Sequence, residues 1–198
     1  GQLARAKECS SDLGRLLDGI AGYVIYLSVL TGIMIGIDKE HISLVFFGLI
    51  TIMRGIAYDY CKLSIITTIQ KGYDGSVKEI LDVCLKISKN NSTLFKIYYY
   101  YLQLQRLIFC GYFTSLKKFV ESEKENYNDR LLSSTERKKF QKKIRPLMIV
   151  WSWNGVDLPL FILVLMSLFG VIESWLFPLV CFLALQFVFI MIYHRTQT

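Results

Sequence analysis

The sequence predicts an all-helical integral membrane bundle. Long apolar runs and an uneven placement of charge carry that prediction. The chain has 198 residues and is 53% hydrophobic, above the roughly 45–50% of soluble domains. The excess is concentrated in four runs, each close to the ~20 residues that a helix needs to cross a bilayer. Lys and Arg outnumber Asp and Glu 23 to 16, and the surplus lies on segments around the runs, not in the short turns that join them. Only three prolines and thirteen glycines are present, which excludes a collagen-like or low-complexity chain.

The first run covers about 16–37 and the second about 42–66, joined by DKEH at 38–41. The third covers about 147–169 and the fourth 175–193, joined by VIES at 171–174. Basic residues flank the first run at Arg5, Lys7 and Arg15, and the last is followed by His194 and Arg195. Between the pairs lies an insert, about 71–145, that ends in KKFVESEKENYNDRLLSSTERKKFQKKIR. The positive-inside rule then sets both chain ends and the insert on the cytoplasmic side, with the two short turns outside. All four runs agree with one orientation. A basic surface on such a chain is expected to meet anionic lipid and not nucleic acid.

Within the insert, 76–88 has apolar residues at helical spacing (Val77, Ile80, Leu81, Cys84, Leu85). The stretch 93–119 is apolar and tyrosine-rich but carries Lys96 and Arg106. It reads as an interfacial amphipathic helix, because a fifth crossing would spoil the charge pattern. A true crossing is the alternative. The five cysteines (Cys9, Cys61, Cys84, Cys110, Cys181) show no ligand spacing and read as small hydrophobes.

The opening residues GQLARAKECSSDLGRLLDGIAG hold a pattern of a different kind. Gly1, Ala4 and Arg5 are followed, after eight residues, by Gly14 and then by Asp18. This resembles the signature of the CDP-alcohol phosphatidyltransferase family, D-x-x-D-G-x-x-A-R, eight residues, G-x-x-x-D-x-x-x-D. The match is local to residues 1–22. The resemblance implies that the chain starts inside the signature of a six-span fold and carries its last four spans, with two aspartates ahead of Gly1. It implies a transfer of a phospho-alcohol group, as from CDP-diacylglycerol, to an acceptor alcohol with release of CMP. Asp18 would then help to bind a pair of Mg2+ or Mn2+ ions, while Gly1, Ala4 and Gly14 leave room for the nucleotide and Arg5 contacts phosphate. A homodimer is implied as well. The fourth aspartate of the signature, the family's general base, falls on Gly22. Glycine cannot accept a proton, so the catalytic base is not assigned.

The residue types support this chemistry on their own terms. Metals that clamp a diphosphate need hard oxygen ligands at short range, and positions 18 and 22 share one helix face. A carboxylate in an apolar run is a functional candidate; the alternative for Asp18 is a solvated residue favoured by the helix dipole. In the second run, Arg54 is a candidate phosphate contact. The competing reading pairs Arg54 with Asp59, or Asp59 with Lys62, or lets Lys62 snorkel. In the third, Asn154 and Asp157 are three apart and share a face if the helix is continuous. Asp157 would sit roughly 16 Å past Pro146, inside the bundle. Trp151 and Trp153 read as interface markers, and His41 and His194 receive no role.

The expected function is therefore a membrane transferase of phospholipid biosynthesis. Its rival is a catalytically lapsed scaffold or lipid-binding protein of the same fold. A transporter is the third class; it predicts internal repeats and broken helices at matching positions, and no repeat is visible.

Overall fold

A computed structural model of the chain describes residues 12–39, 41–89, 92–111 and 131–197; for residues 12–20, 110 and 197 the description is of the helical backbone. Seven helices make up the described residues, with no strand among them. They are α1 (Asp12–Gly36), α2 (His41–Lys71), α3 (Gly75–Lys89), α4 (Thr93–Cys110), α5 (Ser134–Ser152), α6 (Asp157–Leu168) and α7 (Ile172–Gln197).

Among the described residues, three stretches are long and apolar enough to cross a membrane: His41–Lys71, Ser134–Leu168 and Ile172–Thr196. They mark a membrane protein. The apolar part of α1 whose side chains are described, Ala21–Gly36, is shorter. Each crossing exposes a large share of its apolar side chains, as lipid-facing helices do: Ile42, Phe46 and Leu49 on α2, and Leu185, Val188 and Ile192 on α7.

The third crossing is not one helix. It consists of α5 and α6 with a break at Trp153–Val156. The sequence WNGVDLP explains the break. Asn154 and Gly155 are turn formers, and Pro159 lacks an amide proton and fits only the first turn of a new helix. Pro146, by contrast, lies within α5.

The crossings enclose two apolar cores. One joins Tyr26, Leu44, Phe47, Leu163, Met166, Leu176 and Leu183; the other joins Ala57, Cys61, Ile65, Leu147, Trp151, Phe187 and Ile190. The short turns lie together at the end of the first core, where the backbone amides of Asp38 and Lys39 donate to Oε1 of Glu173 at 3.2 and 3.3 Å. The α6–α7 turn is a Schellman closure. Gly170 at φ 66° lets its own amide reach Ser167 O and that of Val171 reach Met166 O, at 3.1 and 3.0 Å. At the opposite end the amide of Leu132 donates to Gly72 O (2.9 Å), and Arg137 donates to Gln70 O (2.6 Å). A capping box of Ser133 and Glu136 starts α5 there.

Helices α3 and α4 form a small core of their own around Ile80, Val83, Cys84 and Leu102, fastened by a hydrogen bond from Tyr98 to Glu79. Helix α4 also packs against α2, and it is not among the three crossings. Residues 112–119 of the 93–119 stretch lie outside the described residues. Burial pushes the Cys84 thiol up, which keeps it protonated and unreactive. Cys61 is also buried and Cys181 exposed, all three as free thiols; Cys9 lies outside the described residues.

Candidate functional site

Two regions concentrate polar groups. The first is the start of α1. Gly1, Ala4 and Arg5 lie outside the described residues. Gly14, Asp18 and Gly22 fall four residues apart on α1, which runs without interruption from Asp12 to Gly36. Positions spaced by four occupy successive turns of one face, about 6 Å apart along the axis. Gly22 is exposed, and a Cβ added there meets nothing within 4 Å. The helix therefore has open space beside it one turn beyond Asp18. On the next residue, Tyr23 is within electrostatic range of Asp59 of α2, as is Tyr101 of α4. Three helices thus bring Asp59, Tyr23 and Tyr101 within electrostatic range of one another.

The donor chemistry suits a hard divalent cation, since Asp18 supplies carboxylate oxygens. No group of three His, Cys, Asp or Glu that could hold a metal ion occurs among the described residues.

The second region lies between the two apolar cores. Arg54 is fully buried, and its guanidinium spans two neighbouring elements. One terminal nitrogen donates to Leu183 O (3.1 Å) and to Gln186 Oε1 (2.9 Å) of α7. The other donates to Trp153 O (2.9 Å), the carbonyl at the C-terminal end of α5. That end carries the negative pole of the helix, so the break presents partial charge of the correct sign to a buried cation. Arg54 Nε and both side-chain amide atoms of Asn154 are buried without a hydrogen-bond partner among the described residues. The hydroxyl of Tyr26 donates to Gly48 O at 3.4 Å on the same stretch of α2. Gly55 admits the break by close approach, because a Cβ there would come within 2.7 Å of Val156 Cγ2.

This arrangement departs from the sequence-based picture at several residues. The terminal nitrogens of Arg54 are occupied by helix carbonyls and Gln186, with neither Asp59 nor Lys62 as a partner in these bonds. Asn154 and Asp157 do not share a helical face, because the break intervenes: Asn154 is buried and Asp157 exposed in the first turn of α6. The reading of Asp157 as an interior residue is corrected accordingly. Trp151 is not an interface marker but a core residue, 2% exposed, whose indole N–H donates to His194 Nδ1 at 3.2 Å. Trp153 is exposed and lies at the break within the third crossing. Thr51 and Gln186 were not singled out in the sequence; their only signal was polarity inside apolar runs.

The fold and its polar layer define an all-helical membrane protein with an interrupted crossing. Comparison with protein-family models, with curated proteins and with solved structures finds no match to the chain.

Proposed function

We propose that the protein is a metal-dependent membrane transferase that moves a phospho-alcohol group, most simply phosphatidyl from CDP-diacylglycerol, to an acceptor alcohol and releases CMP. The observation that carries this reading is the placement of Gly14, Asp18 and Gly22 on successive turns of the uninterrupted helix α1, with Gly22 exposed. In this scheme α1 is a fourth crossing, the insert and chain ends are cytoplasmic, and the whole bundle has six spans and pairs as a homodimer. The meeting of both short turns at one end of the bundle supports the orientation.

In the reaction the acceptor hydroxyl oxygen bonds to the phosphorus that carries the alcohol, and the bond from that phosphorus to the CMP oxygen breaks. Mg2+ or Mn2+, when bound, would supply charge neutralisation at the diphosphate. Asp18 would be a ligand of that metal, Gly1, Ala4 and Gly14 would admit the nucleotide, and Arg5 would hold phosphate. The hydroxyl proton needs an acceptor that Gly22 cannot be. Asp59, in electrostatic range of Tyr23, is the carboxylate that this scheme puts in that role.

The test follows CMP release by the full-length protein in detergent with CDP-diacylglycerol, a panel of alcohols, and Mg2+ or Mn2+. Release is expected to stop with EDTA and to fall by about 100-fold or more in Asp18→Asn and in Asp59→Asn. Loss in Asp18→Asn alone would retain the transferase and remove Asp59 from it. Absence of D-x-x-D immediately ahead of Gly1 would overturn the scheme. The second reading, favoured by Gly22, is a lapsed scaffold of the same fold: it predicts no release from the wild type and release only from Gly22→Asp.

A further inference from the structure

Helix α5 changes character along its length. Its first half carries Arg137, Lys138, Lys139, Lys142, Lys143 and Arg145, and its second half reads LMIVWS. The switch occurs inside a single crossing, so α5 passes from water through the headgroup level into hydrocarbon. A groove of about 650 Å³ follows one face of this helix, and its described lining is Lys138, Gln141, Lys142, Arg145, Met148, Ile149 and Ser152. These residues recur at three- and four-residue intervals and cover about 21 Å at the helical rise.

The lining is ordered by chemistry. Lys138, Lys142 and Arg145 are exposed at the polar end, with Gln141 between them. Met148 is half-buried, and Ile149 is 58% exposed at the apolar end. Ser152 would be a poor neighbour for hydrocarbon, but its hydroxyl already donates to Ile149 O at 2.7 Å. A ligand that fits must therefore carry negative charge at one end and hydrocarbon at the other. A free phosphate would leave the apolar half unused, and an uncharged lipid would bring no negative charge to the three cations.

We propose that this face of α5 is a binding site for an anionic phospholipid. The phosphate lies against Lys138, Lys142 and Arg145, Gln141 meets headgroup hydroxyls, and an acyl chain runs along Met148 and Ile149. The site is separate from the transferase scheme and does not depend on it.

Lys139 and Lys143 provide an internal control, being exposed on the same helix but outside the groove. The full-length protein is placed in bilayer nanodiscs of phosphatidylcholine with either brominated phosphatidylglycerol or brominated phosphatidylcholine. The readout is quenching of exposed Trp153, one residue beyond the groove, in a Trp175→Phe background; Trp151 is buried. Brominated phosphatidylglycerol is expected to quench at the lower mole fraction. Lys138→Gln/Lys142→Gln is expected to weaken that preference about 25-fold, from about fivefold per basic residue near the surface. Lys139→Gln/Lys143→Gln removes the same charge from positions outside the groove and is expected to weaken the preference clearly less than the groove pair does. Equal losses in the two double variants would mean diffuse attraction and would overturn the site. So would the absence of a preference in the parent protein, or its displacement by soluble glycerol phosphate.

Discussion

Arg54 on α2 donates to the carbonyl of Trp153 at 2.9 Å, at the point where the third crossing stops being helical. A break inside a bilayer frees backbone carbonyls that no water can satisfy. A buried guanidinium, in turn, needs acceptors. Each removes the other's cost, and the two further bonds to Leu183 and Gln186 tie the pair to α7.

Arg54→Ala should therefore destabilise the bundle by about 3 kcal/mol or more, because it removes three charge-assisted hydrogen bonds and strands their acceptors. Arg54→Lys should recover only part, since an ammonium cannot fork between α7 and the break. Equilibrium unfolding in detergent checks both. A change within about 0.5 kcal/mol for Arg54→Ala would show that the node does not hold the helices together.

Asn154 should respond in the opposite direction. Its amide is fully buried with neither atom bonded, and an unsatisfied buried polar group costs about 1–3 kcal/mol. Asn154→Leu, similar in size, should raise the unfolding free energy by about 1 kcal/mol. A fall in stability instead would reveal that the amide has a bonded partner, such as an ordered water.

The Gly55–Val156 approach predicts a coupled pair. Gly55→Ala should cost about 1–2 kcal/mol by overpacking, because the stiff Val156 side chain cannot easily turn away. Val156→Ala in the same protein should return much of that loss. A double-mutant cycle with no interaction energy would place the two residues out of contact.

The helical architecture could be read from the sequence because apolar run length is itself the physical requirement for crossing a membrane. The runs at 42–66 and 175–193 fall within α2 and α7. The third run misled because mean apolarity is blind to continuity. WNGVDLP is apolar enough to belong to a span, yet Asn154, Gly155 and Pro159 interrupt the helix. That interruption turned Asp157 outward and left Asn154 buried without it.

The polar layer was only partly legible. Arg54 stood out as a cation in an apolar run, but its partners are carbonyls of Trp153 and Leu183, and main-chain acceptors leave no mark on a sequence. Trp151 was misplaced for a related reason. Tryptophan serves both at interfaces and in cores, and its partner His194 is 43 residues away. The motif at the start of the chain has the reverse character: its spacing is plain in the sequence, while Gly1, Ala4 and Arg5 lie outside the described residues.

The contact of Glu173 with the turn at Asp38 and Lys39 has a consequence for biogenesis. The two partners are separated by 134 and 135 residues. At a synthesis rate of 5–20 residues per second, the first hairpin waits roughly 7–27 s for the carboxylate that joins it to the second. During that interval α1 and α2 have emerged without the helices that complete their core, so their pairing must last on its own contacts or be guarded by the insertion machinery. The join between the two hairpins waits until the second of them is made.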